Sequence, residues 1–184
     1  MTIATYYCYM NSPVGQLCIQ GDGDFVTGLY LPEHKGWRGP EAAWKETVAP
    51  FSAIREQLAE YFTGERQQFD VPTKMEGTPF QQRVWQELTA IPYGITISYG
   101  ELARRVGNSA ASRAVGSANG RNPISIIVPC HRVIGSAGKL TGYGGGLDKK
   151  QWLLAWEQQS GTTSPKQKIN SLFRPGISEK TLQS

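Results

Sequence analysis

Residues 124–132 join a short apolar run to a cysteine and a histidine, in the order Ile124-Ser125-Ile126-Ile127-Val128-Pro129-Cys130-His131-Arg132. The apolar run predicts a buried strand or extended segment that delivers Cys130 and His131 at its end. A thiol beside an imidazole is a reactive combination. The pair alone is also compatible with a core position, because cysteine is often buried and neighbouring residues of an extended chain point to opposite faces.

Upstream of this segment, two short helical patterns are separated by a turn. Ser98 is placed to cap the first helix, and Glu101 stands at its N3 position, which is the pattern of a capping box. The second helix is predicted over residues 110–118. The apolar face and the end of the first helix are formed by Leu102, Ala103, Val106 and Gly107-Asn108. Together the two patterns predict a helix-turn-helix.

The second of these helices is made almost wholly of small residues, and Arg113 is its only long polar side chain. A helix that reads the major groove needs several Arg, Asn, Gln or Lys side chains to reach base edges. This smooth surface instead suits close approach of a DNA backbone or a narrow groove, so sequence-specific readout is not expected. Tight packing against neighbouring elements explains the same composition equally well.

The first half of the chain predicts a small sheet with one helix. Residues 5–10 and 16–20 flank a turn sequence and form a hairpin pattern, and residues 28–31 add a third strand. Residues 51–62 carry apolar side chains at helical spacing before Gly64. A linker follows, and a helix begins near Thr78-Pro79. The predicted units are therefore a sheet-and-helix domain over 1–72, a mostly helical domain over 73–160, and a basic, weakly ordered tail over 161–184.

Charge and cysteine content narrow the class of protein. Residues 1–72 carry 5 basic and 9 acidic side chains, whereas residues 73–160 carry 10 and 5. A polyanion would therefore dock on the second half, although differently solvated faces produce the same asymmetry. The chain has 3 cysteines without zinc-type spacing, and neither a signal peptide nor an apolar span stands out, so a reduced cytoplasmic protein is expected.

Several ordered motifs resemble those of the O6-alkylguanine-DNA alkyltransferases, also called methylated-DNA-protein-cysteine methyltransferases. The resemblance covers about residues 78–160 and is looser at Ser12-Pro13-Val14-Gly15. It rests on Pro129 to Ile134, Arg113-Ala114-Val115-Gly116, Asn122-Pro123, Gly142-Tyr143 through Gly146, Trp152-Leu153-Leu154 and Glu157. It implies an α/β (α+β) fold, with a ribonuclease H-like N-terminal domain before a mostly helical C-terminal domain that contains the helix-turn-helix.

The same resemblance implies roles for individual residues. Cys130 matches the alkyl acceptor, His131 a residue linked to it through water, and Glu157 the carboxylate that orients the histidine. Tyr99 matches a tyrosine that donates a proton or hydrogen bond to the guanine ring. Lowering a thiol pKa from ~8.5 by two units requires about 2.7 kcal/mol, which an imidazolium held by a carboxylate supplies. Cys130 is therefore expected to be activated as a thiolate.

Contacts to DNA and to the damaged base are implied in the same way. Arg113 matches the residue that enters the base stack in place of the extruded nucleotide. Asn122 matches a hinge between the helix-turn-helix and the cysteine segment. The further DNA contacts are Ser98, Ala114, Gly116 and Asn119, and the substrate pocket is formed by Pro129, Val133, Tyr143, Gly144 and Gly145. Backbone groups of Cys130, Val133 and Gly144 are expected to read the guanine edge. Glycine at position 144, where the family pattern has serine or alanine, leaves pocket rigidity and tolerance of bulky alkyl groups open.

The implied reaction is irreversible, stoichiometric transfer of an alkyl group from O6-alkylguanine in double-stranded DNA to Cys130. No cofactor and no metal are expected, because Cys8, Cys18 and His34 do not fall on the zinc-ligand positions of some relatives. The implied partner is DNA bound without sequence specificity through the minor groove, by a monomer that does not use a membrane. The residues leave activity on O4-alkylthymine open. Two alternatives are a protein that senses alkylated bases without repairing them, which Cys130 disfavours, and a cysteine hydrolase.

Overall fold

A computed structural model describes residues 4–162 of the 184-residue chain. The described part has an N-terminal sheet with one helix and a helical C-terminal part, which confirms the predicted mixed fold class. The prediction of a weakly ordered tail over 161–184 falls almost entirely on residues 163–184, which lie outside the described residues.

The N-terminal sheet has the strand order β3-β2-β1-β4. The predicted hairpin is confirmed, because β1 and β2 pair antiparallel with Ser12 opposite Gly15. Gly15 has φ 100°, a left-handed conformation that suits glycine in a tight turn. The strands are β1 Tyr6–Ser12, β2 Gly15–Gly21, β3 Val26–Tyr30 and β4 Lys45–Glu46.

One helix of this half, α1 (Ser52–Thr63), carries its buried side chains on one face, as the helical spacing predicts. These side chains are Ile54, Leu58 and Tyr61. Gly64 ends the helix in the left-handed conformation with φ 81°. The face joins the core cluster that also includes residues of β1 to β3.

The C-terminal part starts with α2 (Pro79–Thr89), at the predicted position. Its N-cap Thr78 and Gln81 form a reciprocal capping box. The indole nitrogen of Trp85 donates to the Ala118 carbonyl at 2.9 Å and joins α2 to the second helix of the helix-turn-helix. The last helix is α5 (Leu147–Thr162). The helices of the described residues 4–162 are all too short or too polar to cross a bilayer.

The helix-turn-helix consists of α3 (Tyr99–Arg105) and α4 (Ser112–Asn119), which pack against each other. Ser98 caps α3 by accepting from the Glu101 amide at 3.0 Å. The Glu101 carboxylate does not complete the predicted capping box, because it pairs instead with Arg104 and Arg105.

The second helix begins two residues later than predicted. The Asn108 side chain accepts from the Ala110 amide at 3.2 Å, and this local hydrogen bond keeps the chain in a turn.

The segment 124–128 forms neither the strand nor the extended segment that its composition predicts. Only Ile124 bridges to Leu29 of β3, and the chain then turns through Ile126, whose φ is 71°. The Val128 amide donates to the Ile124 carbonyl at 3.0 Å across this turn. Beyond it, β6 (Val133–Ile134) pairs in parallel with β5 (Ile97–Ser98).

Candidate active site

Cys130 lies in a 3-10 turn, Cys130–Arg132, and its side chain is buried. Asn122 explains why the preceding segment turns. Its side-chain amide donates to the carbonyls of Val128 at 2.8 Å and Ile124 at 3.3 Å, and its oxygen accepts from the Ile124 amide at 3.0 Å. One buried side chain therefore satisfies backbone groups that a sheet would otherwise pair, and it fixes the turn that presents Cys130.

A single buried carboxylate lies behind this turn. Oε1 of Glu157 accepts from His131 Nε2 at 2.8 Å, from the Tyr61 hydroxyl at 2.8 Å and from Arg132 Nη2 at 3.0 Å. Its Oε2 accepts from Arg132 Nε at 2.8 Å and from the Gly94 amide at 3.0 Å. His131 and Glu157 are both 0% exposed. Glu157 is therefore not a solvated side chain near the end of α5, although its position in that helix would permit one.

The protonation states of this pair follow from its surroundings. Burial alone raises the pKa of Glu157, but His131 and Arg132 together hold it well below its usual range. Burial lowers the pKa of His131, and Glu157 opposes that effect only in part. At neutral pH the pair is therefore a carboxylate and a neutral imidazole.

This state also fixes the tautomer. Because an ionised carboxylate only accepts hydrogen bonds, His131 Nε2 carries the proton and Nδ1 has the free lone pair. Nδ1 is buried and has no hydrogen-bond partner among residues 4–162. His131 is thus arranged to take up a proton at Nδ1.

The Cys130 thiol is not preactivated, contrary to the expectation from the sequence. Burial raises its pKa, and the Asn122 amide and the Lys150 charge offset this only in part. A neutral His131 adds no positive charge that would stabilise a resting thiolate. The resting site therefore contains a thiol.

A buried lysine acts electrostatically on the cysteine. Nζ of Lys150 donates to the carbonyls of Val133 at 2.7 Å and Thr141 at 2.8 Å, and it lies 5.9 Å from the centre of the Tyr99 ring. Burial lowers the pKa of Lys150 to about 8, so it is mostly charged at neutral pH. The Tyr99 hydroxyl donates to the Thr141 carbonyl at 3.4 Å, and burial raises its pKa. A cation and a phenol thus lie close to each other, and both interact electrostatically with the thiol.

The predicted pocket residues lie around the same point. Pro129 and Val133 are buried, and the Tyr143 hydroxyl is enclosed, with a pKa that burial and the neighbouring Cys130 raise. The carbonyls of Val133 and Gly144 each accept one hydrogen bond inside the protein, whereas the Cys130 carbonyl accepts two, from the Asn119 side chain and from the Val133 amide. Since a carbonyl oxygen has two lone pairs, those of Val133 and Gly144 each have a second one available, while both lone pairs of the Cys130 carbonyl are used inside the protein.

Glycine is required at positions 144 and 145 because the N-terminal half packs against them. A Cβ at Gly144 would lie 2.3 Å from Nε2 of His34, and one at Gly145 would lie 2.9 Å from Cβ of Leu31. The Gly144 carbonyl also accepts from the Lys35 amide at 2.7 Å. The His34 ring therefore takes the space of a side chain at 144, and the Lys35 amide ties the loop to the N-terminal half.

Residues predicted to contact DNA divide into two groups. Arg113 and Ala114 are exposed at the start of α4, and Gly116 lies against the Tyr99 ring, where a Cβ would be 3.7 Å from it. Ser98 is half-buried. Asn119, in contrast, is 2% exposed, and its amide donates to the Cys130 carbonyl at 3.3 Å. Its contact is with the cysteine turn rather than with the surface.

Three residues of the site were given no role from the sequence. Arg132 lies in the motif Pro129 to Ile134, but an arginine in a sequence is usually interpreted as a solvated surface cation. The same interpretation applies to Lys150 in the pair Lys149-Lys150. Tyr61 reads as one more apolar position of α1. Only Arg132 carried a signal, because it directly follows the cysteine and histidine.

Residues 4–162 contain no group of three or more His, Cys, Asp or Glu side chains that could hold a metal ion. The expectation of a metal-free protein stays a prediction. Elemental analysis that finds one zinc per chain would contradict it.

Comparison with known proteins gives consistent matches over both halves. Residues 5–75 match the family model "6-O-methylguanine DNA methyltransferase, ribonuclease-like domain", and residues 79–159 match "6-O-methylguanine DNA methyltransferase, DNA binding domain". A methylated-DNA–protein-cysteine methyltransferase of Mycolicibacterium paratuberculosis is 48% identical over 86% of this chain and 95% of its own. One of Methanosarcina acetivorans is 50% identical over 83% and 97%. The solved structure of Mycobacterium tuberculosis OGT in complex with DNA matches with a TM-score of 0.80 at 49% identity, over 84% of this chain and 94% of that one.

Proposed function

The chain belongs to the 6-O-methylguanine DNA methyltransferase family, and we propose that Cys130 is its alkyl acceptor. Its activity is direct-reversal DNA repair, in which an alkyl group passes from the O6 atom of a guanine in DNA to a cysteine of the protein. The observations that support Cys130 are that it directly precedes His131, which is hydrogen-bonded to Glu157, and that the Lys150 charge acts on its thiol. Burial and the neighbouring Cys8 and Glu46 raise the pKa of Cys18 to about 12, and burial raises the pKa of Cys8, which Arg55 offsets only in part.

The first step is removal of the thiol proton. The proton leaves Cys130 Sγ and reaches His131 Nδ1, with one water molecule as the relay. Glu157 stabilises the resulting imidazolium through Nε2 at 2.8 Å. Lys150 stabilises the thiolate, because its charge acts on Cys130 in a buried site.

The second step is alkyl transfer. The Sγ lone pair attacks the alkyl carbon in line, an S–C bond forms, and the bond from that carbon to O6 breaks with its electron pair going to the purine. Tyr99 donates a proton to the guanine anion and regains one from solvent, while the His131 imidazolium releases its proton to solvent. The products are an S-alkylcysteine and an unmodified guanine. Because a thioether has no easy hydrolytic exit, each protein molecule repairs one lesion.

The protein binds DNA, and we propose that α4 contacts the minor groove without reading sequence. Its exposed side chains at the contact are small, apart from Arg113. Because Cys130 is buried, an alkylated base must leave the duplex to reach it, and Arg113 takes the vacated place in the stack. Ser98, Ala114 and Gly116 make the close backbone approach.

The assembly and the compartment are proposed from the same features. The protein is a monomer in the cytoplasm, and its two domains are divided near residues 72–73. The three free cysteines in the described part of the chain agree with a reducing compartment. Size-exclusion chromatography with light scattering tests the monomer, and a dimer at working concentration would contradict it.

Intact-mass analysis tests the acceptor directly. The protein is incubated with a duplex containing O6-methylguanine, and we expect one added methyl group per molecule, located on Cys130 by peptide mapping. Cys130→Ser should gain none, while the matched control Cys18→Ala should behave like the wild type. An unmodified protein that still binds the lesion would support a sensor instead, and turnover of an ester or amide substrate would support a hydrolase.

A further inference from the structure

Tyr61 connects the N-terminal half to the proposed catalytic pair. It lies on α1, is 0% exposed, and donates its hydroxyl hydrogen to Glu157 Oε1 at 2.8 Å. His131 Nε2 bonds the same oxygen at the same distance. Among the described residues, the other hydrogen bonds to Glu157 come from Arg132 and Gly94 of the C-terminal half.

The Tyr61 hydroxyl is not needed to orient the carboxylate. Arg132 donates two hydrogen bonds to Glu157, at 2.8 and 3.0 Å, and the Gly94 amide donates one to Oε2. Nor is the hydroxyl needed to hold its own ring. That ring packs against Phe62, Phe69 and Tyr93 with centroid distances of 5.2, 5.5 and 6.0 Å. What remains for the hydroxyl is an electrostatic effect on Oε1.

The Tyr61 hydroxyl takes part of the negative charge of Glu157 Oε1 that would otherwise stabilise a charged His131. Three donors converge on Oε1, and a carboxylate offers only about four lone-pair positions in total. Burial and Glu157 raise the pKa of Tyr61, so its hydroxyl stays a donor across the working pH range. Each additional donor to Oε1 stabilises the ionised carboxylate of Glu157 independently of His131. The carboxylate therefore stabilises a charged imidazole less.

We propose that Tyr61 is a positioning residue that restrains proton transfer from Cys130 to His131 by sharing one oxygen of Glu157. The inference rests on the proposed function, because it assigns the rate of the first step to the His131–Glu157 pair. The charged or titratable groups acting on His131 are Glu157 and Lys150 from α5 and the adjacent Arg132. Removing the hydroxyl leaves these three in place, so His131 should become more basic.

Tyr61→Phe tests this, because phenylalanine keeps the ring packing. Tyr93→Phe is the matched control, since it removes a hydroxyl from the same ring cluster without removing a hydrogen bond to Glu157. The chain has 2 histidines, so an imidazole NMR titration of DNA-free protein resolves His131, with His34→Asn for assignment. We expect the His131 midpoint to rise by roughly one pH unit in Tyr61→Phe and to stay unchanged in the control.

Single-turnover methyl transfer across pH provides the second readout. In Tyr61→Phe, the acid limb of the pH–rate profile should move to higher pH together with the His131 midpoint. The rate of transfer at neutral pH should increase by up to roughly tenfold. A slower transfer with an unmoved limb, or an equal change in the control, would overturn the proposal. If wild-type Cys130 gains no methyl group, the proposed function fails instead, and the DNA-free titration still decides the role of Tyr61.

A second variant covers the case in which Tyr61→Phe does not fold. Site-specific fluorotyrosine at position 61 keeps the hydroxyl and makes it a stronger donor. Both readouts should then move the opposite way, to a lower His131 midpoint and a slower transfer. A rise in either quantity would contradict the proposed sharing of Oε1.

Discussion

Two substitutions at one buried ion pair should separate stability from chemistry. Glu157 and Arg132 meet at 2.8 and 3.0 Å, with side chains 0% and 7% exposed. Glu157→Gln leaves the Arg132 cation without its counter-charge, and Arg132→Met leaves Glu157 with His131 and Tyr61 as side-chain partners. Both break the same pair, but only Glu157→Gln removes the carboxylate that stabilises a charged His131.

The magnitudes follow from this geometry. Removing one partner of a buried pair costs about 3–5 kcal/mol, so the free energy of unfolding should fall by a similar amount in both variants. The rate of methyl transfer should fall by roughly 10²–10⁴ in Glu157→Gln, the usual range for loss of general-base assistance. In Arg132→Met it should stay within about tenfold of the wild type, because Arg132 itself lowers the pKa of His131.

Denaturant unfolding and single-turnover transfer, both at a temperature where the variants stay folded, measure the two quantities. Equal loss of rate in both variants would refute the reasoning, because it would mean that the rate follows stability and not the charge on Glu157. So would an unchanged rate in Glu157→Gln.

Acid provides an independent check on the same carboxylate. The folded-state pKa of Glu157 lies far below its usual value of 4.5, so its contribution to stability is complete above about pH 4.5 and is lost as the pH falls toward the folded-state pKa. Wild-type stability should therefore decline more steeply below pH 4.5 than that of Glu157→Gln. Parallel declines would contradict the depressed pKa.

Three further predictions concern the surrounding residues. Gly144→Ala should destabilise the protein by about 1–3 kcal/mol in denaturant unfolding, because the added Cβ meets His34 at 2.3 Å, and by less in a His34→Ala background. Lys150→Met should slow transfer by roughly tenfold. The wild type should lose the same stabilisation of the thiolate as the pH rises through about 8, where Lys150 becomes neutral. A comparison of the pH–rate profiles of the two proteins measures both effects. DNA affinity in binding titrations should fall with salt and hardly change with sequence, and Arg113→Ala should slow repair of duplex more than of free base; equal slowing would remove its role in base extrusion.

Elements with a regular apolar period could be predicted from the sequence, and elements fixed by one side chain could not. The hairpin, α1 and α2 follow from alternation, helical spacing and the Thr78 cap. The run at 124–128 has the composition of a strand, but the Asn122 amide takes its carbonyls and forces a turn. Nothing in the run itself signals that contact.

The same limit applies to the candidate site. Cys130, His131 and Glu157 stand in motifs that indicate their roles, and the structure brings them to one place. Lys150 and Tyr61 carry no such signal, because a buried lysine reads as surface charge and a buried phenol reads as core. Their contributions depend on which oxygen atoms lie within 3 Å, and tertiary packing determines that, between the two halves for Tyr61 and within the C-terminal half for Lys150.

A single-use acceptor benefits from low reactivity until its substrate is in place. Alkylation and overoxidation of the thiol are both irreversible, so a thiolate exposed to other electrophiles would be consumed without repairing DNA. The site combines a buried thiol whose pKa is raised with an imidazole whose pKa is lowered, so both partners are neutral at rest. The charges that favour their ionisation, on Glu157 and Lys150, are already in position. In the proposed reaction, movement of the thiol proton to His131 is therefore the one ionisation needed before a bound base is attacked.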